Sequence, residues 1–149
     1  MSTRKMTIRF DPVRPAMSIF RSKYWSKHIV YVIRADRKSK YPKGRSRIVY
    51  IGETKRGNRR PVASAAGIAR EAFGFLPGFR QVDVHPLTFR GRQSVKMWEI
   101  LERDLLPTFK DKYGRIPRYN TQGKGKGFAV ERIKFFRKER LKNIIELLS

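Results

Sequence analysis

Two tyrosines stand in short, β-branched, apolar runs: Tyr31 in HIVYVIRA (28–35) and Tyr50 in RIVYIG (47–52). Both runs are rich in Ile and Val, so each reads as a strand. Side chains two apart share a strand face, which sets Tyr31 with Ile29 and Ile33, and Tyr50 with Ile48 and Gly52. A simple antiparallel register would place the two phenols opposite each other. Strand tyrosines are ordinarily packing residues, but the residues after Tyr50 point further. Gly52 opens the backbone, and Lys55, Arg56, Arg59 and Arg60 then arrive just before Pro61, a residue suited to the first turn of a helix. Phosphate is favoured where cationic side chains meet a helix N-terminus.

Carboxylates are scarce, 12 Asp+Glu in 149 residues, so their positions carry information. Glu99 precedes Arg103 by four residues, the favourable order for an exposed helix pair. Glu102 differs, because Trp98, Leu105 and Leu106 lie one turn to either side and place it at the border of an apolar stripe. A carboxylate turned inward in so basic a chain suits a hard divalent cation, Mg²⁺ or Mn²⁺, whose shell water and phosphate complete. Asn120, in PRYNTQG, reads as a turn residue or as a polar anchor at the foot of such a site. The GKGKG run (123–127), with Lys124 and Lys126, is suited to phosphate contact. It lacks the Lys-Ser/Thr ending of a P-loop and is not preceded by a strand, which argues against nucleoside triphosphate hydrolysis.

The elements that must position these residues can be read from pattern. The two tyrosine runs form an antiparallel hairpin with DRKSKYPKGRS as a long basic tip. A short, tightly packed helix runs from Pro61 to Gly74, and residues 79–89 alternate as a third strand that Pro86 confines to an edge or an end. Residues 92–113 have helical period through Val95, Trp98, Leu101, Leu105 and Phe109, with Gly114 as the stop. A glycine-rich basic loop then leads to an amphipathic helix over 130–148. Residues 1–27 read as a basic arm packed on the domain, with a short strand at 7–10. The expected fold is α+β: a small three-stranded antiparallel sheet flanked by helices, a β-β-α-β-α core over 28–122, with the arm before it and the loop and C-terminal helix (123–149) after it.

The charge balance is extreme, 36 Lys+Arg against 12 Asp+Glu, a formal +24. A folded chain carries such self-repulsion when a polyanion offsets it, and nucleic acid is the leading partner. The bases are spread through the apolar pattern, so the charge belongs to the fold and not to a tail. With no cysteine, and two histidines that have no partner at metal-ligand spacing, thiolate zinc sites and disulfides are excluded. No run is long and apolar enough to cross a bilayer, and the N-terminus does not resemble a signal peptide. The expectation is a protein that is not secreted and not a membrane protein, cytoplasmic, or nuclear in a eukaryote.

Taken together, these residues resemble the GIY-YIG nuclease family over roughly residues 28–122. Ile29-Val30-Tyr31 stands in place of the first tripeptide, and Tyr50-Ile51-Gly52 matches the second. Arg60 lies ten residues after Tyr50, where the family keeps its catalytic arginine. ERDLL beginning at Glu102 resembles the metal-binding helix motif, and PRYN ending at Asn120 resembles the asparagine motif that closes the domain. Ile29 replaces a glycine, Ser64 stands where many members have histidine or tyrosine, and Arg59 is an alternative to Arg60. The resemblance implies a metal-dependent endonuclease. Tyr31, with Tyr50 as the alternative, would be general base, its phenol lowered from about 10 by nearby cations. Arg60 would stabilise the phosphate, Glu102 would hold Mg²⁺ or Mn²⁺, and Asn120 would support the geometry. DNA is the implied substrate and RNA stays open, as does a homodimer, which double-strand breakage would call for. The competing expectations are a catalytically silent basic binder, either a DNA clamp or a ribosomal-type RNA binder, and a subunit docking an acidic protein through the last helix.

Overall fold

The computed structural model describes residues 6–9, 11–20, 28–55, 57, 59–76, 78–88, 96–121 and 136–149. Strand β1 (Ile29–Tyr41) pairs with β2 (Gly44–Thr54); helix α1 (Arg59–Phe75) leads to β3 (Val82–Leu87), then α2 (Lys96–Tyr113) and α3 (Lys138–Leu148). The fold is α+β, with one antiparallel sheet in the order β2-β1-β3. β1 is central because its apolar run is unbroken, with Ile29 to Ile33 wholly buried. Pro86 sits in β3, an edge strand as its missing N–H requires.

The hairpin is longer than its sequence suggests. The expected basic tip is mostly strand, closed by a two-residue turn at Pro42 and Lys43. Its distal half survives because one face is buried: Ser39, Tyr41 and Ser46 point inward, and Tyr41 packs edge-on against Phe109 and tilted against Tyr113. The turn is also tied to α2, since the Lys43 amide donates to the Tyr113 carbonyl at 3.0 Å. Gly114 ends α2 with φ +86°, and a Cβ there would meet Pro42 Cβ at 2.9 Å, so glycine is required both for the turn and for the approach.

The sheet separates two apolar clusters. One face, with Val30, Val32, Ile48 and Ile51, is covered by Trp98, Leu101, Leu105 and Phe109 of α2 and by Leu141 and Ile145 of α3. The other, with Ile29, Tyr31, Ile33, Ala35 and Val49, is covered by Ile68 of α1. Each large side chain so buried is worth about 1.5–3 kcal/mol.

Three expectations are corrected. Phe136 and Arg137 are not helical, so the last helix begins at Lys138, and its apolar face is already packed on α2. Residues 6–9 and 11–20 form no strand and are exposed, with Ile8 at 90 % and Phe20 at 89 %, so this part of the arm is not packed on the domain. Too few apolar residues recur on one side of it to outweigh the ordering of a charged segment. Finally, the two tyrosines are not opposite each other, for a reason that belongs to the site. No helix among the described residues is long and apolar enough to cross a membrane.

Candidate functional site

Register decides where the tyrosines lie. Tyr31 pairs with Gly52, and Tyr50 pairs with Ile33, so the two phenols are diagonal neighbours. Beyond them Arg34 pairs with Ile48, which leaves Val49 as the extra residue of a β-bulge. The bulge reverses the alternation: Tyr50 and Val49 join the α1 side, and Ile48 turns to α2, contrary to the expected sharing of a face by Ile48 and Tyr50. The tyrosine rings still meet, 5.9 Å between centroids, because nothing stands between them. A Cβ on Gly52 would lie 2.6 Å from Tyr50 Cε1 and 2.8 Å from both Cζ and the hydroxyl of Tyr31. The glycine that reads as open backbone is the floor on which both rings rest.

Helix α1 supplies the next layer. Pro61 is buried in its first turn, seating the helix so that Ser64 and Arg60 face the phenols. Ser64 Oγ and the Tyr31 hydroxyl lie 3.2 Å apart in a hydrogen bond either can donate. Arg60, exposed at the helix start, lies near enough to both phenols to interact with them, with Tyr50 more than with Tyr31. The nearness of Tyr50 is the largest reason its guanidinium holds its proton above the ordinary arginine value. Of the two candidate arginines, Arg60 is therefore the one beside the tyrosines; Arg59 is exposed at the first position of α1.

Tyr31 itself is 0 % exposed. Burial raises its phenol well above the ordinary tyrosine value; the Ser64 hydrogen bond and the charge of Arg60 pull it down, and Tyr50 pushes it up. The expectation that surrounding cations lower this phenol fails, because desolvation of a buried phenolate outweighs one neighbouring guanidinium. Tyr50 is only half-buried.

Asn120 is 5 % exposed and works on backbone. Its Oδ1 accepts from the Ile51 amide at 3.0 Å and its Nδ2 donates to the Ile51 carbonyl at 2.8 Å, while the Tyr119 amide donates to the Val49 carbonyl at 2.9 Å. Residues 119 and 120 thus lie along the free side of β2 and fix the strand between Tyr50 and Gly52. Tyr119 packs on the tyrosine cluster and its phenol is raised by burial. Sequence reasoning points to neither Tyr119 nor the Val49 bulge; adjacency to Asn120 is the one available signal for Tyr119.

The remaining candidates lie elsewhere. Glu102 is half-buried on α2, whose apolar stripe covers the sheet face opposite the tyrosines. Lys55, just past β2, is ion-paired with Glu99 at the start of α2, and that hydrogen bond raises its pKa. Arg56, Lys124 and Lys126 fall outside the described residues. Among the described residues no group of three or more His, Asp or Glu could hold a metal ion. Glu102 offers a single carboxylate, which fits a hard ion held mainly by water and phosphate and not one held in a closed protein cage.

No family model matches the chain, and no curated protein and no solved structure matches it.

Proposed function

We propose that the protein hydrolyses phosphodiester bonds of nucleic acid, DNA first and RNA as a second substrate, at the surface formed by Tyr50, Ser64 and Arg60 over the buried Tyr31. The observation that carries this reading is the packing of a half-exposed phenol and a buried one over a glycine floor that leaves room for nothing else, beside an exposed guanidinium at a helix start. A guanidinium there can bind two phosphate oxygens and stabilise the charge that grows on them as water adds. In the hydrolytic step the water oxygen forms a bond to phosphorus while its proton passes to a phenol oxygen, which gives its own proton to solvent. The ester bond then breaks with its electron pair on the leaving oxygen, which takes a proton from solvent. Tyr50 is the phenol open to this water. Tyr31, closed under the sheet and bonded to Ser64, holds Tyr50 in place. A divalent ion would be held by Glu102, on the helix that covers the other sheet face, and would supply charge neutralisation only to a phosphate that reaches around the sheet to it. Asn120 keeps β2, and so both Tyr50 and Gly52, in position.

Nicking of supercoiled plasmid with Mg²⁺ or Mn²⁺, beside an EDTA control and the Arg60→Ala and Glu102→Ala variants, tests the reading. Metal-dependent nicking that falls at least about 100-fold in Arg60→Ala, with binding retained, is expected. If the wild-type protein binds plasmid and branched DNA but cuts neither, nor single-stranded RNA, hydrolysis is refuted and a basic binder that does not cut is what remains. The docking of an acidic protein on the last helix loses its surface, since Leu141 and Ile145 are buried against α2.

A further inference from the structure

The distal half of the hairpin has one face turned to α2 and α3 through Ser39, Tyr41 and Ser46, and a second face that no helix among the described residues covers. Alternation about the inward Ser39, Tyr41, Ser46 and Ile48 places Lys40, Arg45 and Arg47 on that second face, and all are exposed. Lys40 and Arg45 are directly paired across the strands. Like charges in such a pair oppose folding. Among the described residues none of the three makes an ion pair, although Asp and Glu elsewhere in the chain do pair with Lys and Arg. Three cations gathered on a two-stranded ribbon, none of them paired with a carboxylate among the described residues, complement a row of anions.

Two further observations say which row. The uncovered face is on the side of the sheet that carries Tyr31 and Tyr50 nearer the base of the hairpin, since the opposite side belongs throughout to α2 and α3. Strand rise then puts Arg47 roughly 10 Å and Arg45 roughly 17 Å from Tyr50 along β2, a span of a few nucleotide units. A two-stranded ribbon also has the width that the major groove of a duplex admits.

We infer that this uncovered hairpin face is a docking track for the phosphate backbone of nucleic acid, leading along β2 to Tyr50 and Arg60. The inference rests on the nucleic-acid half of the proposed function and is independent of cleavage. Such contacts position a strand without reading its bases. The opposed Lys40–Arg45 pair weakens the free fold and is relieved when phosphate lies between the two side chains.

The test is the salt dependence of binding, measured by fluorescence anisotropy on a short duplex and on the matching single strand, for wild type, Lys40→Gln/Arg45→Gln, and Lys110→Gln/Lys142→Gln. The last pair removes the same charge from exposed positions on α2 and α3. The hairpin double variant is expected to lower the slope of log K against log salt by about 0.9 for each phosphate no longer neutralised on duplex, or about 0.7 on single strand, and to raise the melting temperature of the free protein. The control pair leaves the slope near wild type. Equal slopes in wild type and the hairpin variant, or equally lowered slopes in the two double variants, would overturn the track and leave only diffuse charge. A protein that never cuts but shows the expected difference refutes hydrolysis and keeps the track.

Discussion

Replacing Gly52 with alanine adds one methyl group where two ring carbons and a hydroxyl oxygen already stand within 3 Å, the nearest 2.6 Å away on Tyr50. Ordinary contact begins near 3.4 Å, so the nearest ring must withdraw by about 0.8 Å. Tyr31 has no room to do so, being fully buried beneath α1 and bonded to Ser64. Overpacking of this kind costs about 1–3 kcal/mol, and the lost flexibility of glycine returns about 0.5–1 kcal/mol. The expected net loss is about 1–2 kcal/mol. Gly67, on the exposed side of α1, provides the opposite case: nothing would lie within 4 Å of a Cβ added there, so Gly67→Ala should gain about 0.5–1 kcal/mol. Urea unfolding followed by tryptophan fluorescence reads both variants, since Trp98 is in the core. If Gly52→Ala matches wild type or gains stability as Gly67→Ala does, the glycine is no floor for the tyrosines and the reasoning about the site's geometry fails. Displacement approaching 1 Å at a reacting phenol should also reduce cleavage on the order of 100-fold.

Asn120→Ala leaves the buried amide and carbonyl of Ile51 without partners and should cost about 2–4 kcal/mol in the same unfolding assay, whereas a surface turn residue would cost less than about 0.5 kcal/mol. His85 has its imidazole held below the ordinary 6.5, chiefly by burial and then by the charge of Arg34. The folded chain therefore binds this proton less readily than the unfolded chain. Its share of stability is full above about pH 6.5 and is lost as pH falls through the lowered value. Comparing urea midpoints at about pH 7.5 and about pH 5.5 should show a smaller acid loss in His85→Gln than in wild type, and an unchanged loss would rule the assignment out.

Local pattern carried much of the fold. The runs around Tyr31 and Tyr50, the proline-led α1 and the edge position of Pro86 arise from β-branching and from the missing proline N–H, which act within a few residues. The hairpin tip did not, because Pro42, Gly44 and the lysines spell a loop while the alternation of Ser39, Tyr41 and Ser46 acquires meaning only once α2 is there to cover it. The Val49 bulge is likewise invisible in one strand alone, since it is a mismatch between two. At the site, the types and spacing of Tyr31, Tyr50 and Arg60 sufficed to bring them together. The protonation of Tyr31 lies beyond sequence reasoning because charge can be counted along a chain and burial cannot. For Glu102, helical period placed it beside the stripe but could not say which sheet face that stripe would cover.

The two outer margins of the sheet have a consequence for crowding. A bare strand margin is a template on which further strands polymerise. Along β2, between Tyr50 and Gly52, the side-chain amide of Asn120 occupies both groups of Ile51 as a neighbouring strand would. On β3, Pro86 offers no N–H to an incoming chain. On the proposed function, a protein with a formal +24 would gather densely on a long polyanion, where copies meet. With each margin interrupted by a single residue, copies coating one polymer would be hindered from knitting into a fibre.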